Sequence, residues 1–245
     1  MNPFFDPSNA SNSSIFFSTS HIVVLGVMCI LISLLYIFRK QKWMKSKIRW
    51  AILLLLIITE LGLNIWYFST DYWNVMYTLP FQLCSISIYL CVWMLLFKQK
   101  LIFEMVYFLG LGGATQALLT PELFFDFPHF RFLHFFIAHI CIILAVLYMV
   151  WVEKYKITFS SLWKAFLCLQ IVAAFVFLIN KWTLGNYMFL ARKPENPSLI
   201  DLLGPYPWYI LSLQAVVLVV FFLLYLPFSP IWKKSINVKK QQESN

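Results

Sequence analysis

The sequence predicts an all-α polytopic membrane bundle of seven helices, with the amino terminus outside and the carboxyl terminus inside. Three observations carry this. The chain is 61% hydrophobic with 12% charged residues and a mean hydropathy of +0.77, whereas charged residues make up about a quarter of soluble domains. Its apolar residues gather into runs of about 18–21 residues, long enough to cross a bilayer as helix. Its cations are shared unequally between the two sides of those runs.

Residues 1–20 hold Asp6, no Lys or Arg, and many Ser and Asn. A cleavable signal peptide opens on a basic segment, so this stretch reads as a short polar extracytoplasmic tail. It carries two formal glycosylation sequons, at Asn9 and Asn12. The first span covers about 21–38 and stops at the basic cluster 39–49. Further spans follow at about 48–68, 77–97, 101–119, 131–151, 162–180 and 206–226, and 227–245 is a basic cytoplasmic tail. Glu104 and the Gly110-Leu-Gly-Gly run interrupt the fourth span, where small residues permit close helix contact. Trp43, Trp73, Trp151, Trp182, Trp208 and Trp232 sit near span ends, as an interfacial aromatic belt requires.

With the amino terminus outside, 15 of the 19 Lys and Arg fall inside and four outside, Arg131, Lys181, Arg192 and Lys193. The net charge of +9 is then a topology signal and not a sign of a nucleic-acid partner. The expected location is the cell membrane, crossed many times. The five cysteines all fall inside apolar runs and read as small core residues, not a disulfide framework.

Polar residues inside a span are costly and usually face protein or a wet cavity. The fifth span opens with Arg131, His134 and His139. His139 lies about 12 Å from the outer end at 1.5 Å per residue, too deep for a short imidazole to reach headgroups. The spacing argues against metal: His134 and His139 point about 140° apart on a helix, ligand pairs need i,i+3 or i,i+4, and no Cys-x-x-Cys pair exists. Neither a metal nor a cofactor is expected. Arg131 and His134 sit higher, where headgroup phosphate or water satisfies them.

Other spans place polar groups at similar depth: Glu60 and Asn64 as i,i+4 partners, Cys84, and Gln214, with Gln82 and Gln116 slightly higher. Glu104 and Gln170 are exceptions. Such residues serve either as hydrogen-bonding glue between helices or as the lining of a cavity in the outer half. The outer loop 181–205 adds Asn186, Tyr187, Arg192 and Lys193 beside its mouth, with the cations free to hold phosphate or to stay solvated.

Four stretches, Leu79-Pro-Phe-Gln-Leu-Cys-Ser-Ile, Phe135-Phe-Ile-Ala-His, Gly185-Asn-Tyr-Met-Phe-Leu and Leu203-Gly-Pro-Tyr-Pro-Trp-Tyr, together resemble the YwaF-type bacterial integral membrane proteins. The likeness covers nearly the whole chain. That family is similar to eukaryotic transmembrane protein 164, a membrane acyltransferase acting on phospholipids through a Cys–His pair. The resemblance implies His139 as the family histidine. Where the eukaryotic motif has cysteine and histidine after the proline, this chain has Phe81 and Gln82, with Cys84 one turn later.

Two functional readings follow. In the first, membrane lipids are the partners and a phospholipid is the substrate of acyl transfer or hydrolysis; Cys84 attacks an ester carbonyl, His139 is general base and Glu60 orients the imidazole. In the second, the chain is a non-catalytic transporter or receptor-like protein whose slab binds a small polar solute or lipid headgroup.

Overall fold

The computed structural model describes residues 2–10, 15–195 and 198–230. The Asn12 sequon, Trp232 and most of the basic tail lie outside these residues. Helices follow one another with no strand among the described residues: α1 (Thr19–Phe38), α2 (Arg49–Ser69), α3 (Leu83–Phe97), α4 (Lys100–Leu119), α5 (Phe130–Trp151), α6 (Phe159–Thr183) and α7 (Trp208–Tyr225). Six helical stretches are long and apolar enough to span a membrane; α3 is shorter. The protein is therefore a multi-pass helical membrane protein.

Burial grades the helices. More than half of the apolar window of α4 and of α5 is buried, against about a tenth for α1 and α7. The central layer is α5, packed on α1, α2, α3 and α4. Peripheral faces carry Leu54, Ile58, Leu61, Ile65 and Phe68, all exposed, as a lipid-facing stripe requires. Local chemistry fixes the helix ends. The Ser18 side chain accepts from the His21 N–H, and Thr158 and Ser161 form a reciprocal capping box on α6. The chain leaves α3 through Lys98 in the left-handed region, φ 53°.

Glycine allows α4 to enter the core. A methyl group on Gly110 would lie 3.2 Å from Ile142 of α5 and 3.7 Å from Ser87 of α3. Glu104, on the same helix, is buried and clasped by Lys164 of α6 at 3.2 Å and Lys100 at 3.9 Å. That pairing accounts for a carboxylate in an apolar run.

The third span departs from expectation. Residues 77–97 were to be one helix, yet helix begins only at Leu83 and runs 15 residues, about 22 Å of rise against roughly 30 Å of hydrocarbon. Pro80 has no N–H and drives residue 79 to extended backbone. The Thr78 hydroxyl closes a turn by donating to the Asn74 carbonyl at 2.7 Å. The segment after α6 pairs part of this backbone, while Val75, Met76 and Tyr77 keep exposed side chains. The Tyr187 hydroxyl donates to the Val75 carbonyl at 2.7 Å and accepts from the Leu79 N–H at 2.9 Å. The Met188 N–H donates to Gln82 Oε1 at 3.0 Å. Asn180 braces Tyr187 from both sides, accepting its N–H and donating to its carbonyl.

The amino-terminal tail is seated on the bundle. Trp66 Nε1 donates to the Phe5 carbonyl at 2.8 Å, the Phe130 N–H donates to the Phe4 carbonyl at 2.8 Å, and His129 Nε2 meets the Asp6 carbonyl at 3.2 Å. His129 Nδ1 accepts the Arg131 N–H at 3.1 Å, capping α5. The ring thus uses one nitrogen as acceptor and the other as donor, which only the neutral form provides.

Gly185 stands where a methyl group would meet the Met76 carbonyl at 2.6 Å, whereas Gly26 has nothing within 4 Å. Gly185→Ala is expected to destabilise the protein by about 1–3 kcal/mol, read as a lowered midpoint of thermal unfolding in detergent. Gly26→Ala is expected to leave it unchanged or raise it by about 0.5–1 kcal/mol. Equal effects from both would refute the clash.

Burial lowers the His129 imidazole below its ordinary 6.5; its bond to the Asp6 carbonyl opposes this, Arg131 reinforces it, and the Asp6 carboxylate opposes it. With the docked pKa depressed, docking of the tail is at full strength above the ordinary value and is lost as pH falls through the depressed one. The protection factors at residues 2–6, corrected for the intrinsic slowing of exchange with falling pH, are expected to drop on acidification from about pH 7.5 to about pH 5. His129→Asn, which keeps the cap acceptor but does not titrate, should lose that drop.

Candidate functional site

Helices α3 and α5 run in the same sense with antiparallel α4 between them, and close approach at Gly110 sets their register. Ser87 and Ile142 flank one point on α4. At the basic end, Lys98 and Glu153 pair at 2.8 Å across a separation of 55 residues, the same separation as Ser87 and Ile142. Cys84 and His139 share it. Each lies three residues before Ser87 or Ile142 in the chain, on the same helical face. They are therefore level to within about one turn.

The His139 ring is 6% exposed, and its Nδ1 lies 2.6 Å from the Phe135 carbonyl one turn back. A carbonyl only accepts, so Nδ1 carries the hydrogen and Nε2 keeps the basic lone pair. The role expected of Glu60, holding the imidazole in one tautomer, is filled by this carbonyl. Cys84 is half-buried in the first turn of α3. Its thiol makes no hydrogen bond to any described residue, His139 included. The pair is level to within about a turn and shares no hydrogen bond.

Glu60 turns to a different neighbour. Tyr89 of α3 donates its hydroxyl to Oε1 at 2.6 Å, while Asn64 Nδ2 donates to the Glu60 carbonyl at 2.8 Å. Buried Oε2 has no partner among the described residues. His134 is buried with Nδ1 3.3 Å from the Arg131 guanidinium, and its Nε2 is likewise unpartnered. Arg131 also lies over Trp66 and Tyr67, 5.7 and 5.6 Å from their ring centroids.

The remaining candidates are mostly structural. Gln82 and Tyr187 hold the irregular start of α3, as described. Asn186 organises its own loop: its Oδ1 accepts from the Ala191 and Arg192 N–H groups and its Nδ2 donates to the Arg192 carbonyl. The exposed Arg192 thus takes part through its backbone. Gln116 donates to Thr120 within its own turn. Gln214 accepts from Gln170 at 2.7 Å, joining α7 to α6. Two clefts indent the surface elsewhere. One of about 390 Å³ lies between the tail and α2, lined by Phe5, Gly62, Ile65, Trp66 and Phe130. The other, about 260 Å³, is lined by α1, α4, α5 and α7.

Tyr89 and Asn180 are the two residues sequence reasoning passed over. Tyr89 reads as one aromatic among many in an apolar run; Asn180 lies at a span end, where polar residues are ordinary. Only the partner across space distinguishes them.

Removing the Tyr89 hydroxyl leaves both Glu60 oxygens without a side-chain donor from α3. Tyr89→Phe is expected to cost about 1–3 kcal/mol, and Glu60→Leu made in the Tyr89→Phe background should recover part of it. Thermal unfolding of the two single variants and the double variant checks this; strict additivity would contradict the coupling.

Comparison with known proteins comes down to one match. No curated protein and no protein of solved structure matches the chain. The model of the TMEM164 family matches residues 16–225, taking in every helix from α1 to α7 and all four stretches that carried the resemblance; it does not single out a bacterial YwaF-type branch. The chain belongs to the TMEM164 family.

Proposed function

We propose that this TMEM164-family protein is an enzyme that transfers or hydrolyses acyl groups of membrane phospholipids in the outer half of the bilayer. The observation that supports this best is the level placement of Cys84 and His139 with the imidazole lone pair on Nε2. The orientation, amino terminus outside, follows the distribution of Lys and Arg.

The chemistry runs in two halves. Cys84 Sγ attacks an ester carbonyl as its proton passes to His139 Nε2, and the resulting imidazolium is held by Nδ1–H donation to the Phe135 carbonyl. The C–O bond then breaks, the leaving alkoxide takes the proton from Nε2, and a thioester remains on Cys84. In the second half a lysolipid hydroxyl or water attacks the thioester, giving its proton to Nε2, and the thiolate of Cys84 recovers it. Contact between thiol and imidazole tightens when substrate binds, as catalytic hydrogen bonds often do.

A second reading keeps the same residues without turnover: a small polar solute or lipid headgroup satisfies the unpartnered Oε2 of Glu60. The two readings part on Cys84.

In vesicles holding a labelled phospholipid, Cys84→Ala and His139→Gln are each expected to lower acyl turnover by about 10²-fold or more while leaving thermal unfolding within about 1 kcal/mol of wild type. Wild-type turnover in Cys84→Ala would refute the nucleophile. Binding of a labelled headgroup analogue that needs Glu60 but not Cys84 would favour the second reading.

A further inference from the structure

The connection between α1 and α2 carries six cations and no acid between Arg39 and Arg49. Arg39 is occupied: its guanidinium stacks 3.6 Å from the centroid of the Tyr36 ring and donates to the Tyr36 carbonyl. Lys40, Lys42, Lys45 and Lys47 are all exposed, and none meets a carboxylate among the described residues. Elsewhere on the same face Lys98 pairs with Glu153, and Lys100 and Lys164 share Glu104. Lys154 and Lys156 are likewise exposed and meet no carboxylate among the described residues, but they are two cations following Glu153 in the chain and not a run of six without an acid. Arg49 closes the series with a buried Nε that has no hydrogen-bond partner, its guanidinium 4.6 Å from the Trp50 ring centroid.

The segment is anchored. A wide π-turn, Met44–Ile48, leads directly into α2 and buries Met44 while the lysines on either side point out. Tyr148 of α5 reaches the Lys45 carbonyl at 3.4 Å. Trp43 packs on Phe38, 5.9 Å between centroids, and both Trp43 and Trp50 are exposed. Exposed indoles beside a membrane-spanning helix settle at headgroup depth. The lysines are thereby held in the plane of the lipid phosphates, where basic segments attract anionic lipid.

We propose that residues 40–49 form a docking surface for anionic phospholipid headgroups of the adjacent leaflet, with Lys40, Lys42, Lys45 and Lys47 facing the phosphates and Arg49 supplying the buried donor. The surface is separate from Cys84 and His139 and does not depend on the proposed reaction. The unpaired positive charge favours a net-negative headgroup over a zwitterionic one. The flanking indoles favour a lipid over a soluble polyanion.

The test uses the full chain in phosphatidylcholine micelles titrated with phosphatidylglycerol, with retained lipids counted by native mass spectrometry. Wild type is expected to retain phosphatidylglycerol over phosphatidylcholine by at least ten-fold, and less at high salt. The combined Lys40→Gln, Lys42→Gln, Lys45→Gln and Lys47→Gln variant should lose that preference. Arginine at the same four positions should keep it, as should Lys154→Gln with Lys156→Gln. An undiminished preference in the glutamine variant would overturn the proposal. So would equal loss in the Lys154 and Lys156 control, or displacement of the lipid by a single-stranded oligonucleotide at equal charge concentration.

Discussion

A membrane offers no water to an unpaired peptide group, and the amino-terminal end of α3 bears on that constraint because the chain reaches it without helix between Val75 and Gln82. An unpaired backbone group costs several kcal/mol in hydrocarbon. Tyr187 resolves this with one hydroxyl, which gives its hydrogen to Val75 and takes one from Leu79. Asn180 in turn holds the backbone of Tyr187 on both sides. With that dock in place, α3 begins at Leu83 and carries Cys84 in its first turn, level with His139 to within about a turn.

Much of the fold is legible in the amino-acid sequence because the bilayer enforces it. Apolar runs of spanning length and an excess of Lys and Arg in alternate connections leave few other readings. The start of α3 is the exception, and its cause is also in the chain: Pro80 cannot donate and restricts its predecessor. The apolar run continues through it unbroken, so hydropathy alone carries the helix too far. The tail was legible as polar, but its seat on Trp66, His129 and Phe130 depends on backbone carbonyls, which leave no trace in residue type.

The site was legible in part for a related reason. Depth along a helix follows from counting residues, and counting brings Cys84 and His139 level. Which way a side chain turns depends on its neighbours. Glu60 finds Tyr89, Gln214 finds Gln170, and Gln82 finds the backbone of Met188. Most of the polar slab is thereby spent holding helices and loops together. What is left for the proposed chemistry is narrower: one imidazole whose tautomer is fixed by its own helix and one thiol at a helix start. Two of the family's stretches, around Gln82 and around Tyr187, bind to each other and support the thiol's position without contributing a reacting group.

The central claim is the register of α3 against α5. It is tested most directly in a chain whose other natural cysteines are replaced, leaving Cys84 and one introduced partner. His139→Cys and His134→Cys are compared for cross-linking to Cys84 by a short bis-thiol reagent, read by mass spectrometry of the digested protein. The account predicts that Cys84 links to position 139 in preference to 134. Preferential linkage to 134 would shift the register by more than a turn and separate the thiol from the imidazole that is meant to serve it.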